Sequence, residues 1–367
     1  MKVAFIHFWT LRLPRGVETM TMSLANVLAR SGVDVSVLTA KRTRQPLVAP
    51  DPGVHLKEFP TFRYYEAKTI VPFYAADLIK NKYDVVITFF ADFGEGAALM
   101  LGSPFIRSRH ILYLTFPPES APHRYQAYRR FGWDRRASAI LADAKYTARQ
   151  AQELFGRQVD VLPSGTDPDR FKPDSQQRAA LRGRLRFAAS DVVLLSVGAL
   201  EKRKGVWRII EALPQICRTH DNVRFLILGE GPDRGALEQR AKEIGVADRV
   251  ILAGTTADLA PFYNAADIFV MLADSEAGSI ALLEAMSSGL PVVVSDCGGF
   301  DEIVTNGSGE MVSLEAEDQL VKTMVDLVEN QTRRHSLGNE GRQTVVDRFS
   351  WEYLGQSLMN LCEAQMN

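Results

Sequence analysis

Short, continuous apolar runs separated by helical patterns recur along this sequence, and they restrict the fold more than any other feature. The run at 3–8 is followed by a loop, by a helical pattern at 18–30 and, after Gly32, by a second run at 33–38. Strand, helix and strand in this order form a βαβ unit. Because the runs are continuous rather than alternating, they are typical of parallel strands that helices cover on both faces. The pattern predicts an α/β fold with doubly wound sheets.

The same pattern starts a second time in the middle of the chain. Residues 163–174 concentrate proline and aspartate without apolar periodicity, which is typical of a connection between domains. At 367 residues the chain is also longer than one core usually serves. We predict an N-terminal domain at 1–165 and a C-terminal domain at 174–350, with a last helix at about 351–367 packing back on the first. Both domains are predicted to be Rossmann-like and to face each other across a cleft.

Individual strands and helices follow from the same patterns. Further strands are expected at 85–89, 111–114, 139–142, 159–162, 192–197, 223–228, 250–252, 268–272 and 292–295. Helices are expected at 206–216, 235–244 and 281–288. In open sheets of this kind ligands lie beyond the carboxyl ends of the strands. We therefore expect the loops after residues 197, 228 and 272 to converge.

Three cations lie in the first of these loops. Lys202, Arg203 and Lys204 stand between two glycines at 198 and 205. Lysine supplies a mobile point charge and arginine a planar fork, a combination that suits a diphosphate. The alternative is a solvated surface turn, but the position after a strand favours a phosphate site.

Two acids, Glu276 and Glu284, lie eight positions apart around a small-residue turn that opens an apolar helix. The first backbone N–H groups of such a helix have no partner within it, and with the positive end of the dipole they suit a phosphate. Carboxylates beside an anion site are suited to accept hydrogen bonds from hydroxyls. Phosphates between hydroxyl-rich ends describe a nucleotide sugar. The alternative is that the acids only favour the helix dipole.

Weaker signals come from three other loops. Gly229 begins a tight turn after a strand, and Gly16 lies between the first strand and its helix. The loop at 298–302 either closes over a ligand or only connects two elements. Its Glu302 either pairs with a cation or caps the following helix, and the cap is favoured. The sequence contains no dinucleotide-type glycine pattern and no Walker lysine motif, which argues against nicotinamide enzymes and ATPases.

Composition excludes several other classes of protein. The 43 basic and 44 acidic residues nearly cancel, which gives no overall case for nucleic-acid binding. Three distant cysteines, Cys217, Cys297 and Cys362, are too few for a disulfide framework or a zinc site and favour a reducing compartment. The apolar start is interrupted by Arg12 and Arg15, so it predicts a strand and not a signal peptide. No stretch approaches the roughly 20 apolar residues that span a bilayer. We expect a cytoplasmic protein.

A basic segment at 123–136 stands apart from this balanced composition. Aromatic residues alternate with its arginines, which are Arg124, Arg129, Arg130, Arg135 and Arg136. Such a segment can bind anionic lipid head groups or a phosphorylated acceptor. The alternative is an ordinary solvated helix face whose aromatic residues pack inward. If the protein contacts a membrane, we expect a peripheral contact at its inner surface through this segment.

Together these residues resemble family 4 of the glycosyltransferases, retaining enzymes of the GT-B fold. The resemblance is densest at 192–309, where the segment from Glu276 to Glu284 is similar to the paired-glutamate motif of the family. Further similarities lie at Lys204 with Gly205, at 229–232 and at Gly16. Departures from the family pattern are Ala199, the pair Gly278 and Ser279, Ser164, and Arg15 before Gly16.

The resemblance implies a role for each of these positions. Lys204, with Arg203, would contact the donor phosphates, Glu284 the ribose and Glu276 the transferred sugar. The remaining donor-binding positions that it implies are Gly16, Gly229, Thr255, Thr256, Gly278, Ser279 and Ile280, with base recognition at the turn of the two threonines. No metal or other cofactor is expected, because cations and the helix start would stabilise the leaving diphosphate. On the acceptor side, Thr115 or His123 would stand near the position of a family histidine.

The sequence thus predicts a retaining hexosyltransferase. Its donor would be a UDP- or GDP-linked sugar and its acceptor a hydroxyl of a glycan, a lipid-linked molecule or a small molecule, as in polysaccharide biosynthesis. Glu276 and Lys204 are the predicted catalytic residues. The alternatives are a nucleotide-sugar epimerase or phosphorylase on the same scaffold, or a non-catalytic subunit that binds nucleotide sugars.

Overall fold

The chain forms two compact units in a computed structural model that describes residues 1–10, 16–41, 48–61, 67–89, 96–99, 105, 107–305 and 307–366. The first unit comprises Met1–Ser164 together with Trp351–Asn367, and the second comprises Gly165–Ser350. Each unit contains one parallel β-sheet.

The first sheet has seven strands in the order β3-β2-β1-β4-β5-β6-β7. Their bounds are β1 (Lys2–Ile6), β2 (Asp34–Ala40), β3 (Val54–Phe59), β4 (Val85–Phe89), β5 (Arg109–Leu114), β6 (Ala139–Ala142) and β7 (Asp160–Val161). All neighbouring strands pair in parallel. Parallel pairing requires a crossover between strands, and helices provide most of these connections.

The second sheet has six parallel strands in the order β10-β9-β8-β11-β12-β13. Their bounds are β8 (Val192–Val197), β9 (Val223–Leu228), β10 (Val250–Leu252), β11 (Ile268–Met271), β12 (Val292–Ser295) and β13 (Glu310–Val312). In both sheets the first strand of the unit lies inside the sheet, and the strand order reverses beside it. This order is typical of doubly wound folds that bind nucleotides.

Helices surround these sheets. In the first unit they are Gly16–Arg30, Val71–Asn81, Pro122–Phe131, Trp133–Arg136, Lys145–Phe155 and Trp351–Ala364. In the second unit they are Ser175–Arg184, Val206–Ile216, Arg234–Glu243, Ala260–Ala265, Ile280–Ser287, Phe300–Ile303, Glu317–Glu329 and Gln331–Arg348. Within the described ranges, no helix combines the length and the apolar character that crossing a bilayer requires.

Alternate residues of β8 show how the second sheet is covered. Val193 and Leu195 belong to one hydrophobic cluster, whereas Val192 and Leu194 belong to a second. Because successive side chains of a strand point to opposite faces, both faces of the sheet are packed. The helix Val206–Ile216 contributes to the second cluster and the Ile280–Ser287 helix to the first. The continuous apolar runs of the sequence therefore correspond to strands buried on both sides, and the predicted α/β class is confirmed.

The last helix packs within the first unit against the helix Gly16–Arg30. A Cβ atom at Gly355 would lie 2.3 Å from Cγ1 of Val27, so the two helix backbones approach closely at this point. Near it, the guanidinium of Arg30 lies 3.0 Å from the carboxylate of Glu352. This ion pair is exposed, so close packing is the main contribution at this contact.

The sequence predicted most of the interior strands but neither of two edge strands, β3 and β13. Six predicted strands have the observed bounds, namely those at 85–89, 139–142, 192–197, 223–228, 250–252 and 292–295. Both missed strands lie at the edge of a sheet, and β3 contains Lys57 and Glu58. Edge strands are half-solvated and tolerate polar residues, so β3 and β13 lack the apolar run that identified the others.

Candidate functional site

The strand order of the second sheet reverses between β8 and β11, and the loops that follow these two strands meet there. The backbone N–H of Asp274 donates to the carbonyl of Arg203 at 2.8 Å. A Cβ atom at Gly205 would lie 1.8 Å from the carbonyl oxygen of Leu272, and the φ of Gly205 is 70°. Both observations require glycine at position 205. The cation loop is therefore fixed against the end of β11.

The loop after β9 joins the same edge of the sheet. The amide of Leu200 donates to the carbonyl of Glu230 at 3.0 Å, and the amide of Gly229 donates to the carbonyl of Gly254 at 2.8 Å. Thr255 is exposed and Thr256 half-buried in the turn that follows Gly254. The predicted convergence of the loops after residues 197, 228 and 272 is confirmed.

Lys204 and Glu276 form an ion pair where these loops meet. Nζ of Lys204 contacts Oε2 of Glu276, and the two side chains are only 17% and 16% exposed. The guanidinium of Arg203 lies 3.8 Å from the same oxygen and also pairs with Glu201 at 2.9 Å. The structure thus brings together three of the predicted site residues. In this arrangement the carboxylate of Glu276 is the counterion of Lys204.

A pair of glycines holds the main chain of Glu276 in place. The amide of Gly299 donates to the carbonyl of Glu276 at 2.9 Å. A Cβ atom at Gly298 would lie 1.9 Å from that carbonyl oxygen, so a larger residue would displace it. The sequence left open whether this loop closes over a ligand or connects two elements. In the structure this loop holds the backbone of Glu276. The two adjacent glycines are the sequence feature that indicates such a close backbone contact.

Ser279 caps the helix Ile280–Ser287. Its hydroxyl oxygen accepts a hydrogen bond from the amide of Leu282 at 3.3 Å, and its carbonyl accepts one from Leu283 at 3.1 Å. Helix geometry leaves the amides of Ile280 and Ala281 without an acceptor inside the helix. These two donors and the half-buried Gly278 stand at the positive end of the helix dipole, two to five residues after Glu276 along the chain.

Glu284 lies one turn further along this helix in a second polar cluster. Its Oε2 accepts a hydrogen bond from the hydroxyl of Tyr263 at 2.8 Å in a buried environment. Burial raises the pKa of Glu284 to about 7, while the Tyr263 hydrogen bond and the charge of Arg170 act in the opposite direction. The carboxyl group is therefore poised to change its charge near neutral pH.

Sequence reasoning missed Tyr263 and Arg170. Tyr263 follows the apolar pattern of a helix and carries no functional signature. Arg170 falls in the segment that we interpreted only as a connection. In the structure its guanidinium donates to the carbonyl of Ala257 at 3.1 Å and lies over the ring of Phe171. Arg170 therefore links the turn after Thr256 to the surroundings of Glu284.

The remaining predicted residues belong to the first unit. Gly16 is the exposed first residue of its helix, and Arg15 before it lies outside the described residues. Thr115 is buried directly after β5, and among the described residues its hydroxyl has no hydrogen-bond partner. His123 is exposed as the second residue of the helix Pro122–Phe131. Of the two acceptor-side candidates, Thr115 is thus the one that lies directly at the carboxyl end of a strand.

Two other histidines of this unit are withdrawn from solvent, His7 fully and His110 in large part. His7 follows β1 and hydrogen-bonds through Nδ1 to Thr10 at 2.9 Å, while Nε2 of His110 lies 2.8 Å from the hydroxyl of Thr88. Burial lowers the pKa of His7 to about 3 and that of His110 to about 4. Both are neutral at physiological pH, and the hydrogen bonds to Thr10 and Thr88 give each a structural role.

We predict that Glu284→Gln stabilises the protein at alkaline pH. The folded-state pKa of Glu284 is about 7 against an ordinary value of 4.5, so the folded state binds more protons and stability falls as pH rises between these values. Glutamine keeps the bond from Tyr263 without the charge. We expect a gain in unfolding free energy of about 2–3 kcal/mol at pH 8 that disappears near pH 4, measured by urea unfolding.

The control for this prediction is Glu315→Gln, which changes an exposed acid of the same unit. It should leave the unfolding free energy nearly constant at both pH values. A gain from Glu284→Gln that is equal at pH 8 and pH 4 would contradict the raised pKa of this buried carboxyl.

Comparison with known proteins identifies relatives of both halves. The family profile described as Glycosyltransferase Family 4 matches residues 14–170, and the one described as Glycosyl transferases group 1 matches residues 177–344. A GDP-mannose-dependent alpha-(1-6)-phosphatidylinositol monomannoside mannosyltransferase of Mycolicibacterium smegmatis is 32% identical over 73% of this chain and 75% of the relative. A D-inositol 3-phosphate glycosyltransferase of Segniliparus rotundus is 26% identical over 94% of this chain and 83% of its own length. A monoacylated alpha-(1-6)-phosphatidylinositol monomannoside mannosyltransferase of Corynebacterium glutamicum, also GDP-mannose-dependent, is 29% identical, and the alignment covers 66% of each chain.

Solved structures show the same fold. Sucrose-phosphate synthase from Thermosynechococcus elongatus superposes with a TM-score of 0.84 at 19% identity, covering 99% of this chain and 98% of that one. Anabaena Alr3699/HepE in complex with UDP and glucose gives a TM-score of 0.81 at 20% identity, covering 99% and 100%. At these identities the similarity establishes the fold, which is the predicted GT-B type with two Rossmann-like domains. With profiles that match both halves and a relative 32% identical over three quarters of its length, the chain belongs to the family 4 glycosyltransferases.

Proposed function

We propose that this protein is a retaining glycosyltransferase that moves a hexose from a UDP- or GDP-linked donor to an acceptor hydroxyl. The second unit binds the donor and the first binds the acceptor. The observation that carries the proposal is the ion pair of Lys204 and Glu276 beside the start of the Ile280–Ser287 helix. It places a cation, a carboxylate and unpaired amides at one point of the sheet edge, where a diphosphate and a sugar can bind side by side.

Binding of the donor diphosphate exchanges the partner of Lys204. A phosphate oxygen replaces the Glu276 carboxylate as the acceptor of the Lys204 ammonium, and Arg203 and the amides of Ile280 and Ala281 add donors. Glu276, released from the cation, accepts a hydrogen bond from a hydroxyl of the transferred sugar. Each group in the pair thus gains a new hydrogen-bond partner, the lysine a charged one and the glutamate a neutral one.

The nucleoside lies along the same edge. Glu284 accepts hydrogen bonds from the ribose hydroxyls. Gly229 and the turn with Thr255 and Thr256 border the nucleobase, with mainly backbone groups available to it. These assignments place the nucleoside between the Ile280–Ser287 helix and the loop that follows β10.

Electrostatic stabilisation of the leaving diphosphate lowers the barrier of the reaction. Lys204, Arg203 and the helix start carry the positive charge that a metal ion supplies in other transferases, so we propose no resident metal or cofactor. The acceptor hydroxyl attacks from the face that the diphosphate leaves, and its proton passes to a departing phosphate oxygen. The anomeric configuration is retained without a protein nucleophile, and no covalent bond to Glu276 forms.

The names of relatives suggest where to begin with substrates. Two of them are described as GDP-mannose-dependent mannosyltransferases of phosphatidylinositol monomannoside. GDP-mannose is therefore the first donor to test, followed by UDP-glucose, and glycolipid or polysaccharide precursors are the first acceptors. We propose a cytoplasmic location, where nucleotide sugars are made.

We predict that Lys204→Ala and Glu284→Ala raise the Kd of the nucleotide-sugar donor. Each removes a charged hydrogen-bond partner, which corresponds to a roughly 10- to 100-fold loss of affinity. For Glu276→Ala we expect kcat to fall by about 100-fold and donor affinity by less, because its sugar contact strengthens as the transition state forms. Calorimetric titration with GDP-mannose and UDP-glucose, with initial rates, gives both quantities.

Lys202→Ala is the matched control for Lys204→Ala. Both lysines belong to one turn of 3-10 helix, but the side chain of Lys202 is exposed, whereas Lys204 is paired with Glu276. We expect the Kd of the control to change by less than about 2-fold. An unchanged Kd for both Lys204→Ala and Glu284→Ala would remove the donor-site assignment.

The stereochemical prediction is that an α-linked donor gives an α-linked product at an undiminished rate in the presence of a chelator. The one-bond carbon–proton coupling at the anomeric centre of the product, measured by NMR, reports the configuration for mannosides and glucosides alike. A β-linked product would overturn the retaining mechanism, and loss of activity on chelation would overturn the proposed metal independence. Product that forms only with added phosphate, or epimerised donor without acceptor, would indicate a phosphorylase or an epimerase instead.

We also propose a peripheral membrane contact through the basic segment at 123–136. Tyr125, Tyr128 and Trp133 of this segment are buried, so they do not form an aromatic platform. Four of its arginines are exposed, namely Arg129, Arg130, Arg135 and Arg136. The support for a membrane contact is therefore electrostatic, with Phe131 at 36% exposure as the apolar element among these arginines.

We predict that replacing these four arginines by glutamine weakens binding to vesicles that contain phosphatidylglycerol by about 10-fold or more. Flotation with and without the anionic lipid measures the effect. The control removes the same charge from exposed residues of the second unit, namely Arg184, Arg218, Lys242 and Arg348. Equal binding by both variants, or no binding of the unaltered protein, would contradict the membrane contact.

A further inference from the structure

A buried tyrosine holds one oxygen of the Glu284 carboxylate. The hydroxyl of Tyr263 lies 2.8 Å from Oε2 of Glu284 and 3.2 Å from the carbonyl oxygen of Ala281. The ring of Tyr263 is fully buried and packs edge-on against Phe171 at 5.7 Å between centroids. Its position is therefore fixed by packing, and the hydroxyl donates from a defined direction. One carboxylate oxygen is occupied, and Oε1 remains for another donor.

Few ionisable groups surround Glu284. The helix Ala260–Ala265 contributes only Tyr263, and β11 and β12 consist of residues without ionisable side chains. From the helix Gln331–Arg348, Arg342 directs its guanidinium to backbone carbonyls, including that of Phe171 at 3.1 Å. The charge that acts on Glu284 is that of Arg170. Within the described part of the chain, Tyr263 and Arg170 are thus the groups that favour the ionised carboxyl.

The ionised form is the one that donor binding requires. A carboxylate accepts hydrogen bonds with both oxygens. In a protonated carboxyl one oxygen carries the proton and becomes a donor, so the group accepts fewer hydrogen bonds. Burial opposes ionisation at this position. Without support from its neighbours, Glu284 would be neutral at physiological pH and would be a weaker partner for two ribose hydroxyls.

We infer that Tyr263 is a positioning residue that fixes one oxygen of Glu284 and, together with the charge of Arg170, favours its ionised form, so that donor affinity depends on pH near neutrality. The inference rests on the proposed function, in which Glu284 binds the ribose. Neither residue needs to touch the donor for this role. Their effect passes through the charge and the orientation of a single carboxylate.

The test compares the pH dependence of donor binding in the unaltered protein and in Tyr263→Phe. With GDP-mannose or UDP-glucose as the probe, affinity of the unaltered protein should fall as pH decreases through about 7. A nucleotide sugar is the proper probe because its diphosphate diester, unlike a free diphosphate, does not titrate near neutrality. The calorimetric titrations extend from about pH 5.5 to pH 8.5.

Removal of the Tyr263 hydroxyl should move this transition to higher pH. We expect a roughly 10-fold loss of affinity at pH 7 that becomes smaller toward pH 8.5, where Glu284 ionises in both proteins. A purely structural role of Tyr263 would instead reduce affinity by the same factor at every pH. That result would overturn the inference.

Tyr83→Phe is the matched control. Its hydroxyl also donates to a carboxylate at 2.8 Å, that of Asp77, and its ring is also buried, but it belongs to the first unit. Donor binding and its pH dependence should not change. Arg170→Gln serves as the second variant if Tyr263→Phe fails to fold, and it should shift the transition in the same direction.

An infrared titration of Glu284 without ligand separates this inference from the proposed function. The band that is lost in Glu284→Gln reports the protonation of this carboxyl, which Tyr263→Phe should shift to higher pH. An unchanged titration overturns the inference even if donors bind well. Absence of nucleotide-sugar binding by the unaltered protein overturns the proposed function, and with it the role of Tyr263 in donor affinity, whatever the titration shows.

Discussion

The contact between the Gly205 backbone and the Leu272 carbonyl is the constraint on which the candidate site depends. It holds the loop after β8 against the end of β11, where the strand order reverses. Because residue 205 has no side chain, the loop approaches β11 closely enough for Lys204 to contact Glu276. Gly298 likewise allows a close backbone approach, in this case to the carbonyl oxygen of Glu276. The charged side chains are thus placed by backbone contacts, which vary less than side-chain rotamers.

The two acids of the motif have different environments, although they lie on one short segment. Glu276 stands before the helix and is paired with a cation, whereas Glu284 lies inside the helix and is buried beside Tyr263. The charge of Glu276 is compensated by an ion pair, whereas burial raises the pKa of Glu284 and Tyr263 and Arg170 act against that rise. Two carboxylates of equal chemistry can thereby serve two parts of one donor, because their surroundings separate their properties.

Much of the fold could be predicted from the sequence, because buried parallel strands require continuous apolar runs. The donor-site loops could also be predicted, since Lys204 and Glu276 follow strands whose neighbours were apparent from the order of elements. Tyr263 and Arg170 could not, because an aromatic residue in a helix and an arginine in a connection have many ordinary roles. Their importance depends on tertiary contacts over about 20 and more than 100 residues of sequence separation. The edge strands β3 and β13 were missed because they lack a continuous apolar run, whereas the edge strand β10 has one and was predicted.

The ion pair of Lys204 and Glu276 has a consequence for turnover under the proposed mechanism. After transfer, the nucleoside diphosphate occupies the lysine while the departed sugar no longer offers a hydroxyl to the glutamate. The half-buried carboxylate then faces an anion without compensation, and reforming its bond with the lysine restores the balance of charge. In the empty site the two charges neutralise each other. The Glu276 carboxylate therefore competes for Lys204 more effectively against the product nucleotide than against the intact donor.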